Sequence, residues 1–281
     1  MNSQDRIRVF IGSGEASRIE RNTAIYSLRK NSRRELDIYV FNGTHNSVQL
    51  NGGEPFLAPM SLKVKYQNIT EFSLYRFLIP ELCNYQGRAI YIDSDTVCLS
   101  DIGELFETPM GDADFLARRD INPDEVLWGL SVMLIDCHRC RFDLERVVDE
   151  IDAGLYSMSD FSWMSSRFLA YHPYKVGQLD TAWNMFDQRD SRTKLIHYTN
   201  LYMQPWKYPD HPYGELWFGY FNKALAEGYV TAEDVRLSML RSYIRRDLLD
   251  GNSKPQRSLV RQLAAPLKKV LKGVASRISI A

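Results

Sequence analysis

The stretch "RAIYIDSDTVCLSD", residues 88–101, decides the fold class of this chain. Four apolar or aromatic residues, Ala89 to Ile92, run directly into Asp93, Ser94 and Asp95. Such a run predicts a strand buried in a sheet, with two carboxylates at its carboxyl end. Because ligands bind at the carboxyl ends of strands in open α/β sheets, the same pattern predicts a binding site.

The sequence around this stretch predicts an α/β protein. A strand over 7–12, a helix over 19–31 and a strand over 36–41 follow one another, and this order is typical of a parallel sheet. Further strands are predicted over 113–119, 130–136 and 193–199, with helices over 71–82, 141–153, 214–228 and 231–249 and a loop over 52–59. The expected fold is a mixed, mostly parallel sheet flanked by helices, with a helical basic extension at the carboxyl end.

Length and composition place the chain among soluble globular proteins. Its 281 residues suit one large α/β domain with an appendage, and 44% apolar residues suit a packed core. No stretch approaches the ~18 apolar residues of a membrane span, and the start lacks the pattern of a secretory signal. We therefore expect a cytoplasmic location. Cys137 and Cys140 form a lone CxxC without a second pair for zinc, so we expect them to be packing residues.

The zero net charge hides an asymmetry between the body and the carboxyl-terminal tail. Residues 251–281 carry seven basic side chains and no acidic ones, which leaves −7 for residues 1–250. We therefore expect a domain over 1–250 and an amphipathic tail over 251–281. Two interpretations of the tail remain open: its apolar stripe packs on the body, or residues 254–281 lie on an anionic membrane surface. The basic residues are Lys254, Arg257, Arg261, Lys268, Lys269, Lys272 and Arg277.

Two chemistries use carboxylates placed like those of Asp93 and Asp95. A phosphatase of the DxDxT type uses the first as a nucleophile and the second as a general acid–base. It also needs a late acidic cluster for magnesium, and "DAD" at 112–114 comes too soon and before a strand. A glycosyltransferase uses the pair to hold a divalent metal against a nucleotide-sugar diphosphate. That interpretation needs a distant third ligand, which His197 supplies at the end of a predicted strand.

Three elements in order resemble glycosyltransferase family 8 and its bacterial relatives, over roughly residues 7–225. "EFSLYRFLIPEL" is similar to the family's Arg-bearing helix, and "YIDSDTVCLSDIGELF" to its DxD strand and the following helix. "HYTNLYMQPW" is similar to its late His element. The resemblance implies a GT-A fold, a UDP-sugar donor, Mn²⁺ or Mg²⁺, and retention at the anomeric carbon.

The resemblance also implies roles for individual residues. Asp93, Asp95 and His197 would be the metal ligands, with Asp95 also catalytic. Asn200 stands where the family has Gly, and Gln204 where it has a phosphate-binding Lys. Asp160 is the candidate for a carboxylate facing the sugar. Contacts to the nucleotide or the donor would come from Gly12, Glu15, Arg76, Ser94, Asn200 and Gln204.

The predicted function is transfer of a hexose-type sugar from a nucleotide donor to a glycan or lipid-linked acceptor. Two alternatives remain open: a DxDxT phosphatase, and a nucleotide-sugar-binding protein without transfer activity, which Gln204 in place of the family's Lys leaves possible. No nucleic-acid partner is expected. Trp206 is either a core residue or an aromatic surface for the acceptor sugar.

Overall fold

The structure is a computed structural model that describes residues 6–121 and 125–248 of the chain. The strands are β1 (Ile7–Ser13), β2 (Leu36–Asn42), β3 (Ser47–Leu50), β4 (Phe56–Leu57), β5 (Arg88–Asp93), β6 (Thr96–Cys98), β7 (Phe115–Ile121), β8 (Val126–Asp136), β9 (Val176–Gln178), β10 (Met185–Phe186) and β11 (Leu195–His197). The helices are α1 (Arg18–Asn31), α2 (Leu62–Tyr66), α3 (Ile79–Leu82), α4 (Ile102–Phe106), α5 (Leu144–Asp152), α6 (Met158–Ser162), α7 (Ser166–Tyr171), α8 (Gly214–Ala226) and α9 (Ala232–Leu240), with 3₁₀ helices at Tyr75–Leu78 and Thr181–Trp183.

Within the described residues, eight strands form the main sheet in the order β4-β3-β2-β1-β5-β8-β7-β9. β1 pairs in parallel with β2 and β5, and β7 with β9, whereas β3 and β8 run opposite to their neighbours. Six of these eight strands therefore share one direction, which confirms the mixed, mostly parallel α/β class. β10, β11 and β6 form a second, smaller sheet.

The core lies on both faces of the main sheet because its central strands are apolar almost throughout. Successive side chains of β1 point to opposite faces. Phe10 packs in one hydrophobic cluster, while Val9 and Ile11 pack in another on the other face. A third cluster joins α1 to α8 through residues such as Ile19 and Trp217.

Two predicted helices differ from the structure for local reasons. The helix expected over 71–82 is instead a turn, a 3₁₀ helix and the short α3, which has Pro80 in its first turn. Because proline has no backbone N–H, it cannot extend an α-helix that began before it. The helix expected over 231–249 ends at Leu240, and Ser242 follows with φ of 60°, a left-handed conformation that stops a helix.

Other predictions concern the loop, the cysteines and the tail. β4 lies inside the loop expected over 52–59. Cys137 and Cys140 are fully buried free thiols in the core, which confirms their packing role. The tail over 251–281 lies outside the described residues. In the part of the chain that the structure covers, no helix has both the length and the apolar character needed to cross a membrane.

Candidate active site

The first half of the site lies where β1 and β5 end together. Gly12 is the register partner of Asp93, so both lie at the carboxyl edge of the main sheet. The Ser94 N–H donates to the Gly12 carbonyl at 3.1 Å, and the Thr96 hydroxyl donates to the Asp93 carbonyl at 3.0 Å. These bonds turn the chain from β5 into β6 and place Asp95 in the turn.

The pairing of β6 with β11 positions the second half of the site. Thr96 stands opposite His197 in this antiparallel pair, and the Tyr198 N–H donates to the Asp95 carbonyl at 2.9 Å. His197 Nε2 consequently lies 2.9 Å from Asp95 Oδ1. One ligand atom from each of Asp93, Asp95 and His197 lies within 4.8 Å of the others. The structure thus brings together the three side chains that the sequence suggested as metal ligands.

The arrangement of these atoms fits a divalent cation. Asp95 Oδ1 is a buried oxygen to which no group of the described residues donates a well-formed hydrogen bond, and His197 Nε2 lies 2.9 Å from it. Neighbouring ligands on an octahedral ion such as Mg²⁺ lie about 3 Å apart, close to the separation of these two atoms. Carboxylate oxygens are the ligands that Mg²⁺ and Mn²⁺ prefer, and imidazole is a common companion.

Asn184 fixes the orientation of His197. Its Oδ1 lies 3.1 Å from His197 Nδ1, and its Nδ2 donates to the Ser131 hydroxyl at 3.0 Å. Because the amide nitrogen donates to Ser131, Asn184 Oδ1 accepts a hydrogen bond from Nδ1–H. In the neutral imidazole this leaves the Nε2 lone pair on the side of Asp95. Burial lowers the pKa of His197, but the charges of Asp95 and Asp93 outweigh burial and raise it. Sequence reasoning missed Asn184, because nothing in its local pattern shows that it faces a histidine.

Arg76 and Tyr91 hold the other carboxylate. The Tyr91 hydroxyl donates to Asp93 Oδ1 at 2.5 Å, and Arg76 Nη2 lies 3.4 Å from the same oxygen. The Arg76 guanidinium also stacks over the Tyr91 ring, 4.6 Å from its centre. Burial raises the pKa of Asp93, and the positive charge of Arg76 opposes this rise. Arg76 therefore lies beside the DxD, where the sequence placed it.

Gln204 contacts a metal-ligand carboxylate. Its side chain is 3% exposed, and its Nε2 donates to Asp95 Oδ2 and to the Tyr198 carbonyl, both at 3.0 Å. Both amide hydrogens are therefore used within the protein. Lys207 follows in the same loop with its side chain exposed.

A buried carboxyl group on α1 adds to the charge near the site. Burial raises the pKa of Glu20 to about 7; the charge of Asp95 adds to this rise and Lys207 opposes it. The Oε2 atom of Glu20 is buried without a hydrogen bond. Sequence reasoning did not single out Glu20, since a glutamate in the first turn of a helix is ordinary.

The remaining nucleotide-contact candidates have varied surroundings. Ser94 is buried in the DxD turn, whereas Asn200 is exposed and donates its N–H to Asp187 Oδ2 at 3.1 Å. The Glu15 carboxylate forms ion pairs with Arg18 at 3.1 Å and Arg241 at 2.8 Å. Burial raises the pKa of Glu15, but these two arginines outweigh burial and lower it. Glu15 thus ties the loop after β1 to the segment after α9.

Asp160 forms hydrogen bonds at the start of α6. Its Oδ2 accepts bonds from the Ser157 N–H and hydroxyl, both at 2.7 Å, and its Oδ1 accepts from the Ser165 hydroxyl at 2.8 Å. This is a capping box at the start of α6. Both carboxylate oxygens are engaged in these contacts, and a role of Asp160 at the sugar stays a prediction.

Trp206 is a core residue. Its side chain is fully buried, and its ring packs against Trp217 with 5.1 Å between ring centres. Of the two interpretations of this tryptophan, the structure supports packing.

With this geometry established, comparison with known proteins identifies the family. The family model described as "Glycosyl transferase family 8" matches residues 19–236. The chain therefore belongs to glycosyl transferase family 8. This membership favours the glycosyltransferase interpretation of the DxD over the phosphatase one.

Individual relatives agree with the assignment. The curated "Protein CDI" of Arabidopsis thaliana is 26% identical over 195 residues, spanning 59% of this chain and 70% of that protein. The crystal structure of the galactosyltransferase LgtC, bound to donor and acceptor sugar analogs, superposes with a TM-score of 0.58 at 14% identity. That match covers 82% of this chain and 99% of LgtC. The apo glycosyltransferase GlyE of Streptococcus pneumoniae TIGR4 has a TM-score of 0.56 at 17% identity, covering 80% of this chain and 63% of GlyE. The fold is thus the GT-A-like fold of these glycosyltransferases.

Proposed function

We propose that this protein transfers a hexose-type sugar from a UDP-sugar donor to a glycan or lipid-linked acceptor, with Mn²⁺ or Mg²⁺ held by Asp93, Asp95 and His197. The observation that carries the proposal is the convergence of these side chains at one edge of the sheet. When bound, the cation would neutralise charge on the donor diphosphate and help it to leave. Retention at the anomeric carbon is proposed from the family alone.

Neighbouring side chains hold the proposed metal ligands in fixed orientations. Arg76 and Tyr91 hold the buried Asp93 carboxylate in place. In the neutral form of His197, which is the form that would bind a cation, the bond to Asn184 keeps the proton on Nδ1, away from the face that looks at Asp95. Ligand atoms held in this way lose little freedom when a cation binds, which strengthens binding.

Binding of UDP in the presence and absence of Mn²⁺ tests the metal clamp directly. We expect Asp95→Ala to abolish Mn²⁺-dependent UDP binding, measured by isothermal titration calorimetry, while thermal unfolding shows that the metal-free protein remains folded. Asp112→Ala is the matched control because its carboxylate is exposed and forms a surface ion pair with Lys175. Unchanged UDP–Mn²⁺ binding in Asp95→Ala would refute the proposed site.

Product analysis separates transfer from the alternatives. Incubation with UDP-sugars and Mn²⁺ should release UDP, and release should accelerate when the correct acceptor is supplied. Binding without any turnover would identify a nucleotide-sugar-binding protein. Release of phosphate from small monophosphates would instead support phosphatase chemistry.

The tail supports a further part of the proposal, which is that the enzyme works on a cytoplasmic membrane surface. The Arg245 N–H donates to the Trp206 carbonyl at 2.9 Å, so the described chain ends a few residues from the loop that carries Gln204. The tail over 251–281, with its seven basic residues, follows this segment in the sequence. Basic residues near an anionic surface contribute roughly 1 kcal/mol each.

Vesicle sedimentation tests the membrane proposal. The full chain should sediment with anionic vesicles, and added salt should weaken this association. A chain ending at Gly251 should stay in the supernatant and still hydrolyse the donor. Equal vesicle binding by the two chains, or binding by neither, would contradict the proposal.

A further inference from the structure

We infer that Gln204 is a positioning residue that holds the metal ligand Asp95, and that it does not contact the donor diphosphate. The inference rests on the proposed function, because it assumes that Asp95 binds a cation. It concerns the residue that stands where related sequences carry a phosphate-binding lysine.

The contacts of Gln204 leave its amide nitrogen no free hydrogen. One N–H points to Asp95 Oδ2 and the other to the Tyr198 carbonyl, each at 3.0 Å. The main chain is equally fixed, because the Gln204 carbonyl accepts the N–H groups of Lys207 and Tyr208, both at 2.8 Å. The buried Trp206 anchors the same turn in the core.

This arrangement determines which oxygen of Asp95 faces the cation. With Oδ2 engaged by the amide, Oδ1 remains as the oxygen beside His197 Nε2, at 2.9 Å. A neutral donor such as Gln204 orients the carboxylate without cancelling its charge. A lysine at this position would place a positive charge next to Asp95 and compete with the cation.

The two possible roles of Gln204 predict opposite results for Gln204→Lys. If Gln204 faced the diphosphate, Gln204→Lys would strengthen UDP binding and leave affinity for Mn²⁺ alone unchanged. If Gln204 holds Asp95, the same change should weaken binding of Mn²⁺ alone, before any nucleotide is added.

The experiment measures Mn²⁺ binding to the full chain by the electron paramagnetic resonance signal of free Mn²⁺. We expect Gln204→Met, which keeps the size but loses the donor, to bind Mn²⁺ roughly 10- to 100-fold more weakly. Gln204→Lys should also bind more weakly. Gln178→Met is the matched control, since Gln178 is exposed on β9, and it should bind like the parent. A changed spectrum of bound Mn²⁺ in Gln204→Met would show altered ligand geometry, which loss of stability alone does not produce.

The outcomes distinguish this inference from the metal site itself. Mn²⁺ binding that Asp95→Ala does not weaken would overturn both the proposed clamp and the role of Gln204. Mn²⁺ binding that depends on Asp95 but is unchanged in Gln204→Met and Gln204→Lys would overturn the role of Gln204 alone. If thermal unfolding shows that Gln204→Met does not fold, Gln204→Lys decides: parental or tighter Mn²⁺ binding rejects the inference, and weaker binding supports it.

Discussion

Replacement of Asn184 by Leu tests the histidine half of the site. The change keeps a similar volume but removes the acceptor for His197 Nδ1 and the donor to the Ser131 hydroxyl. The buried imidazole of His197 then has no partner at Nδ1 that favours one tautomer. The proton can therefore occupy Nε2, where it would block binding of a cation. We expect Mn²⁺ affinity to fall roughly 10- to 100-fold, as is usual when a partner of a metal-binding histidine is lost.

The same substitution has a predictable cost in stability. A buried donor left without an acceptor costs about 1–3 kcal/mol, and Asn184 is fully buried. A chain of 281 residues has an unfolding entropy near 0.6 kcal/mol per kelvin at its melting temperature. The melting temperature of the metal-free protein should therefore fall by roughly 2–5 °C.

Asn184→Asp separates the tautomer effect from general damage at this position. An aspartate still accepts from Nδ1 and can accept from Ser131, and a carboxylate behind a histidine strengthens it as a ligand. Calorimetric titration with Mn²⁺ should show affinity at or above that of the parent. If Asn184→Leu binds Mn²⁺ like the parent, or if Asn184→Asp loses binding as severely as Asn184→Leu, the assigned role of Asn184 is wrong.

Further predictions concern the strand end and the pH dependence of stability. A Cβ at Gly12 would lie 2.1 Å from the Tyr91 hydroxyl, so Gly12→Ala should lower both the melting temperature and the affinity for Mn²⁺. Gly219→Ala on α8 is the control, because a Cβ there would enter open space, and it should lower neither quantity. Burial raises the pKa of Glu150, but hydrogen bonds, including one with His172, outweigh burial and lower it to about 2. The ionised Glu150 carboxylate therefore stabilises the folded protein above the pKa that glutamate has in the unfolded chain, and this contribution disappears as pH falls toward 2. In urea titrations, the free energy of unfolding should consequently fall less steeply between pH 5 and 2 in Glu150→Gln than in the parent. An unchanged acid profile would contradict the Glu150 assignment.

The parts of the fold that could be predicted from sequence are those encoded by local pattern. The apolar run into Asp93 identified the strand end, and the order of elements identified a largely parallel sheet. His197 was predicted as the third metal ligand because it ends a predicted strand and the DxD required a ligand from a distant segment. The capping box of Asp160 could also have been predicted, because Ser157 precedes it by three residues, which is the spacing of that motif.

The parts that could not be predicted depend on contacts between distant segments. Asn184 reaches His197 because β10 and β11 lie side by side. Both strands are too short for their pairing to be predicted from the sequence pattern. Gln204 was assigned to the diphosphate by its position in the sequence, whereas its contact with Asp95 joins residues that lie 109 positions apart. A side chain that orients another side chain from a distant segment has no local sequence pattern from which its role could be predicted.

The pairing of β6 with β11 also has a consequence for how the enzyme matures. The partners Val97 and Ile196 are separated by about a hundred residues, so this contact forms only after most of the chain has been synthesised. A nascent chain that has already formed β1, α1 and β5 would hold Asp93 and Asp95 without His197. On the proposed assignment, the three ligands would therefore come together late, and Mn²⁺ binding would report, over time, the pairing of β6 with β11.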